Sequence, residues 1–141
     1  MKSPLPYLLL DKNKCLHNIK RMADKAIQHN LAFRPHFKTH QSHLIGSWFK
    51  VLGISKITVS SFTMAEYFAN DGWTDITVAF PVSRFDVESI NYLASKIHLN
   101  IVFSSPANFL SSYELINERV GIFIEVDTGQ SRSGLHPDNM R

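Results

Sequence analysis

The sequence predicts an α/β protein with a parallel sheet, the N-terminal portion of a (β/α)8 barrel of TIM type. Three observations lead there. Short apolar, β-branched runs alternate with stretches whose apolar residues recur at helical spacing. Beyond the first helix, the expected strands start at residues 33, 57, 76, 99 and 121, which lie 19 to 24 residues apart. These strands read as apolar on both faces, the mark of a parallel sheet covered by crossover helices. No sequence repeat accompanies the rhythm, so a solenoid is excluded. A doubly wound sheet shares the rhythm but favours a Gly-rich phosphate loop after an early strand, and neither G-x-G-x-x-G nor a P-loop occurs. A complete barrel takes about 200 residues or more. The 141 residues here, with about five βα strands, are therefore expected to form one domain that is part of a barrel.

Each element has its own signal. Tyr7–Leu10 reads as a short buried strand. Ile19, Met22, Ala23, Ala26 and Ile27 share one helix face, closed by His29-Asn30. Leu31–Phe37 reads as extended, because Pro35 keeps Arg34 out of the helical region. Leu44, Ile45, Trp48, Phe49 and Leu52 mark a second helix that ends at Gly53. Ile57-Thr58-Val59 is a β-branched strand. Thr63-Met64-Ala65-Glu66 has capping-box form, with Thr63 at the cap and Gly72 ending the helix. Ile76–Phe80 is a strand halted by Pro81, and Ser83 caps a helix carrying Val87, Ile90, Leu93 and Ala94. Leu99–Phe103 follows as a strand. Ser105-Pro106 then opens a helix with proline at its first position, continued by Phe109, Leu110 and Tyr113. Gly121–Val126 is the last strand, and a further helix is expected from Pro137. A partial barrel of this kind exposes two parallel sheet edges, an association hazard.

Composition narrows the function classes. With 44% apolar and 19% charged residues, the chain is globular and not disordered. The net charge of +3 comes from dispersed basic residues without a Lys/Arg block, so no nucleic-acid partner is expected. Cys15 is the single cysteine, which excludes an internal disulfide framework and fits a reducing compartment. The apolar stretch Leu5–Leu10 is interrupted by Pro6 and is too short for a membrane span. No membrane partner and a cytoplasmic location are the expectation.

Function in parallel α/β folds collects at the carboxyl ends of strands. The most unusual such end is Arg34-Pro35-His36-Phe37-Lys38-Thr39-His40. On a strand, Arg34, His36 and Lys38 share a face. Burial beside like charge lowers a lysine's pKa, and a neutral amine attacks an aldehyde to form a Schiff base. The alternative is a surface lysine that merely ends a strand. His36, His40 and His43 invite a metal reading, but they lack the H-E-x-x-H spacing and a neighbouring Cys or carboxylate, so solvated or hydrogen-bonding histidines are expected. The second constellation is Glu125-Val126-Asp127-Thr128-Gly129-Gln130-Ser131-Arg132-Ser133-Gly134. There an acid at a strand end and a Gly-spaced loop orient Arg132 toward an anion or a phenolate oxygen. The alternative is a turn with a solvated arginine. No G-x-S-x-G elbow occurs, and Cys15 has no evident base.

Taken in order, these segments resemble the fold-type III pyridoxal-phosphate enzymes, the superfamily of the alanine racemase N-terminal domain. They are most similar to the D-threonine aldolase and D-serine dehydratase branch. The resemblance runs through Tyr7–Asp11 with Asn18-Ile19, R-P-H-F-K-T-H at 34–40, Thr58-Val59-Ser60 with Ala65-Glu66 and Gly72, Asp75-Ile76 through Phe80-Pro81, and E-V-D-T-G with Arg132 and Gly134. It implies that Lys38 is the catalytic lysine, holding pyridoxal 5'-phosphate as an internal aldimine and moving the substrate α-proton. It implies that Arg132 binds the cofactor at its ring hydroxyl. It further implies a lyase acting on D-3-hydroxy amino acids by retro-aldol cleavage or dehydration, with a racemase fitting less well, and a small amino acid as substrate. Two alternatives stand beside this reading: a non-catalytic pyridoxal-phosphate-binding protein, and an inactive truncated fragment of such an enzyme. Family members bind the cofactor phosphate with later strands. The aldolase and dehydratase branch adds a C-terminal β-domain with metal ligands, for which residues 1–141 offer no counterpart. The divalent metal of that branch therefore has no expected ligands here. Gln41 stands where lysine is common. A homodimer is the family pattern.

Overall fold

The computed structural model describes residue 7 and residues 9–140. Its elements run α1 (Lys12–Gln28), α2 (His43–Val51), β1 (Lys56–Val59), α3 (Phe62–Asn70), β2 (Asp75–Pro81), α4 (Val87–Ala94), β3 (His98–Phe103), α5 (Pro106–Leu110) and β4 (Gly121–Ile124). The four strands pair in parallel in the order β1-β2-β3-β4, so each strand neighbours the next in sequence. This is the parallel α/β arrangement expected, with helices leading from strand to strand.

One face of the sheet supplies the core. Ile57 and Val59 of β1, Ile76 and Val78 of β2, and Leu99, Ile101 and Phe103 of β3 are buried against Ala65 and Phe68 of α3 and Ile90 and Leu93 of α4. Phe37, Trp73 and Val82 complete this cluster, the Phe37 and Trp73 ring centroids lying 5.0 Å apart in an edge-on arrangement. A smaller cluster joins Ile19 and Ala23 of α1 to Ile54, beside Trp48 and Leu52. The opposite face alternates differently. Lys56, Thr58 and Ser60 are followed laterally by Asp75 and Thr77, then by Asn100. The expectation of strands apolar on both faces is corrected here for β1, whose face away from the helices carries Lys56 and Thr58, and for the first half of β2, whose same face carries Asp75 and Thr77.

Several local expectations change as well. Tyr7, Leu9 and Leu10 are exposed and form no strand, while Leu8 lies outside the described residues. Residues 31–37 do not form a fifth strand. They run beside β1 through one bridge, His36 to Thr58, and one hydrogen bond, Thr58 N–H to the Pro35 carbonyl at 2.8 Å. A ladder cannot extend there, because Pro35 has no N–H and Phe37–Thr39 closes into a 3-10 turn. Lys38 therefore sits in a turn and not on a strand. The cap of α3 is Ser61, whose hydroxyl accepts from Met64 N–H, so Thr63 lies inside the helix. Ser83 does cap, but it opens a 3-10 turn (Arg84–Asp86) through a capping box with Asp86 before α4 begins. α5 ends at Leu110, and Tyr113 belongs to a separate 3-10 turn. β4 ends at Ile124, and beyond it Val126 forms only a bridge to Leu135. Pro137–Met140 is a 3-10 turn.

Candidate functional site

The sheet face turned away from the core opens into a cleft of about 860 Å³. Thr58 and Thr77 line it from β1 and β2, Val102 and Phe123 from β3 and β4, and Ser60, Lys38, Arg132 and Ser133 from the segments beyond the strands, so its lining mixes polar and apolar groups. Lys38 and Arg132, from motifs far apart in sequence, thus reach the same cleft. Both are exposed. The burial on which a desolvated lysine depends is not found at Lys38.

The segment carrying Lys38 is tied down at its base. Arg34 Nη2 lies 2.7 Å from Asp75 Oδ1, and Nη1 donates to the carbonyl of Ile57 at 3.2 Å. Lys56 and Asn100 also converge on the Asp75 carboxylate, each at 3.2 Å. Burial alone raises a carboxyl pKa, but the hydrogen bonds and charges of Arg34 and Lys56 outweigh it and hold Asp75 below the usual range. Arg34 is therefore spent on fixing the strand, leaving Lys38 and Arg132 as the cleft's cations without an ion-pair partner among the described residues.

The histidines have separate duties. His36 Nδ1 accepts from Lys38 N–H at 3.3 Å, capping the turn that presents Lys38. Its pKa is lowered by burial and then by the Lys38 charge. His40 lies among Phe37, Phe49 and Phe68, accepts from Ser42 N–H at 3.2 Å, and has a pKa lowered by burial. His43 Nδ1 sits 3.0 Å from Asp71 on the α2–α3 surface, away from the cleft. The three therefore do not converge on one point.

On the far side, the loop after β4 is a closed device. Asp127 Oδ1 accepts the N–H groups of Gly129, Gln130 and Ser131 at 2.9, 2.9 and 3.1 Å. Those bonds hold its pKa below the usual carboxylate value. Asp127 is thus the loop's organiser and does not line the cleft. The loop returns through Asp127 N–H to Leu135 and Leu135 N–H to Glu125, at 2.9 and 2.8 Å. Gly134 makes that return possible: its φ is +104°, and a Cβ there would lie 2.9 Å from Asp127 N.

Sequence reasoning missed Thr77 and the Arg34–Asp75 anchor. The signal was present in K-I-T-V and D-I-T-V, where a polar residue stands at every second position. Two cleft groups, Thr77 Oγ1 and Glu125 Oε2, are buried without a hydrogen-bond partner. With an amine and a guanidinium reaching the cleft and the Thr77 hydroxyl unanswered inside it, the donors fit a compact anionic aldehyde, while the Glu125 oxygen is an acceptor that asks for an N–H or O–H.

Among the described residues, no helix is long and apolar enough to cross a membrane. The model of the alanine racemase N-terminal domain matches residues 10–141. A D-threo-3-hydroxyaspartate dehydratase from Delftia sp. is 28% identical over 138 residues, covering 95% of this chain and 36% of its own length. A 3-hydroxy-D-aspartate aldolase from Paracoccus denitrificans is 28% identical, covering 92% of this chain and 35% of its own. Among solved structures, a D-threonine aldolase from Filomicrobium marinum superposes with a TM-score of 0.86 at 24% identity, over 94% of this chain and 37% of that one. The chain spans about a third of the length of the relatives it matches.

Proposed function

Because the chain belongs to the alanine racemase N-terminal domain family, we propose that residues 1–141 are the N-terminal barrel segment of a pyridoxal-phosphate-dependent lyase acting on D-3-hydroxy amino acids. The observation that carries this reading is the meeting of Lys38 and Arg132 in one cleft, 94 residues apart in sequence (132 − 38 = 94). A relative named as an aldolase and one named as a dehydratase of 3-hydroxyaspartate share the same 28% identity with this chain. The proposal therefore stops at the substrate class and leaves the bond broken to the remainder of the protein.

In this reading Lys38 is the covalent anchor of the cofactor and the base that takes the proton from the substrate α-carbon. His36 supports it by fixing the turn at the Lys38 N–H. The Arg34–Asp75 pair holds the strand from which that turn departs. Arg132 places a guanidinium where a phenolate oxygen gains from a fixed positive charge. Thr77 offers a hydroxyl from the floor of the cleft. Pyridoxal phosphate supplies an electron sink for the charge left at the α-carbon.

The test is reductive trapping. The chain is mixed with pyridoxal phosphate, reduced with borohydride and mapped by mass spectrometry, with Lys38→Ala as control. Selective label on Lys38 supports the reading; label spread over many lysines, or unchanged in the variant, overturns it. D-threonine turnover, followed through glycine, acetaldehyde, ammonia and 2-oxobutanoate, then separates a lyase from a protein that only binds the cofactor.

A further inference from the structure

The turn that presents Lys38 is closed by its own side chains, and one of them has no part in the chemistry above. Gln41 Nε2 donates to the Lys38 carbonyl at 3.3 Å. On the other side of the same residue, His36 Nδ1 accepts from Lys38 N–H at 3.3 Å. The peptide planes on both sides of the Lys38 Cα are therefore each held by a side chain. Beneath them, the carbonyl of the fully buried Phe37 accepts the N–H groups of His40 and Gln41, at 3.3 and 3.0 Å. A Cα–Cβ bond takes its direction from the two planes that flank it, so this arrangement aims the Lys38 side chain. The ammonium has no such hold: Lys38 is exposed and makes no ion pair among the described residues.

The backbone of Gln41 is also unusual. Its φ is +46°, in the left-handed region that favours glycine and asparagine. Glycine has no amide to offer there, and asparagine is one methylene shorter. Glutamine combines the sharp end of the turn with a donor long enough to return over it. The bond is exposed, so water competes for the carbonyl and the gain in stability is small. What the bond contributes is direction, which governs how often an amine meets an aldehyde carbon.

We propose that Gln41 is a positioning residue for Lys38: its side-chain amide holds the Lys38 carbonyl and fixes the direction in which the lysine enters the cleft. The inference rests on the reading of Lys38 as the cofactor's lysine, but the hold on the carbonyl needs no cofactor.

Two measurements test it. The first follows the side-chain amide nitrogens by NMR relaxation in the cofactor-free chain. The Gln41 amide is expected to be more ordered than that of Gln28, which is exposed on α1. Equal order overturns the proposal and requires no variant to fold. The second is the borohydride trap, scored as label on Lys38 relative to label on the exposed Lys25 of α1 in the same digest. Gln41→Met keeps the side-chain length and removes the donor, whereas Gln41→Gly removes the donor and the left-handed strain together. Both are expected to lower the ratio about threefold to tenfold, the range of one hydrogen bond. The urea midpoint of Gln41→Gly should stay at or above that of the wild type. An unchanged ratio in Gln41→Met overturns the proposal. So does a ratio lost in Gln41→Met but kept in Gln41→Gly, which would trace the loss to the backbone. Equal labelling of Lys38 and Lys25 in the wild type would instead sink the cofactor reading, with the NMR comparison still deciding whether Gln41 holds the turn.

Discussion

Replacing Asp75 by alanine removes the carboxylate on which Arg34, Lys56 and Asn100 converge. Breaking a fully buried ion pair costs about 3–5 kcal/mol and an exposed one about 0–1. The Arg34 and Asp75 side chains are 22% and 17% exposed, which places the loss between those limits, at roughly 2–3 kcal/mol. Arg34 would retain only carbonyl contacts at 3.2 and 3.4 Å. The assay is urea unfolding followed by the fluorescence of Trp48 and Trp73, with linear extrapolation to water. The pH dependence has a defined sign. The folded carboxyl sits below its ordinary value of 3.8, so its contribution is present above that value and is lost as pH falls through the folded one. The gap between wild type and Asp75→Ala should therefore be wide at neutral pH and narrow in acid. A loss below about 0.5 kcal/mol at pH 7, the range of an ordinary surface substitution, would refute the anchor.

Other outcomes follow from single contacts. Gly134→Ala puts a Cβ against backbone atoms at a positive φ and should cost about 1–3 kcal/mol, read as a lower thermal midpoint. Phe37→Ala empties a fully buried site among Phe49, Phe68 and Trp73 and should cost about 3–5 kcal/mol in the same urea assay. His40 is held neutral by burial, so the folded state binds its proton less readily than the unfolded chain. Stability should be complete above about 6.5 and fall as pH drops from there toward the folded value. His40→Phe should flatten that decline between pH 7 and 5, and an unchanged slope would exclude His40 as its source.

Most of the βα order was legible because the first three strands carry unambiguous apolar, β-branched runs. Ile57–Val59, Ile76–Phe80 and Leu99–Phe103 all fall where their composition places them. The failures cluster where a neighbour decides the outcome. Residues 31–37 are extended by local preference, yet one bridge to Thr58 is all the pairing they make. Ser61 and Thr63 are both acceptable caps, and only the end of β1 selects Ser61. Lys38 and Arg132 were readable as motif members, but their meeting depends on four strands lying side by side. The buried, unanswered oxygen of Glu125 is a three-dimensional fact with no linear trace.

The two margins of the sheet are unlike. At β1, which begins with Lys56, the Pro35–His36 stretch lies alongside and occupies part of the outer hydrogen-bonding row. At β4, Ile122, Phe123 and Ile124 are all more than half exposed. Charge and proline discourage strand addition, whereas open apolar strands invite it. The described sheet is therefore one-sided: its β4 margin is where a further strand would pair, and a charged residue at position 123 should weaken that pairing while the same change at position 56, already lysine, has nothing to add.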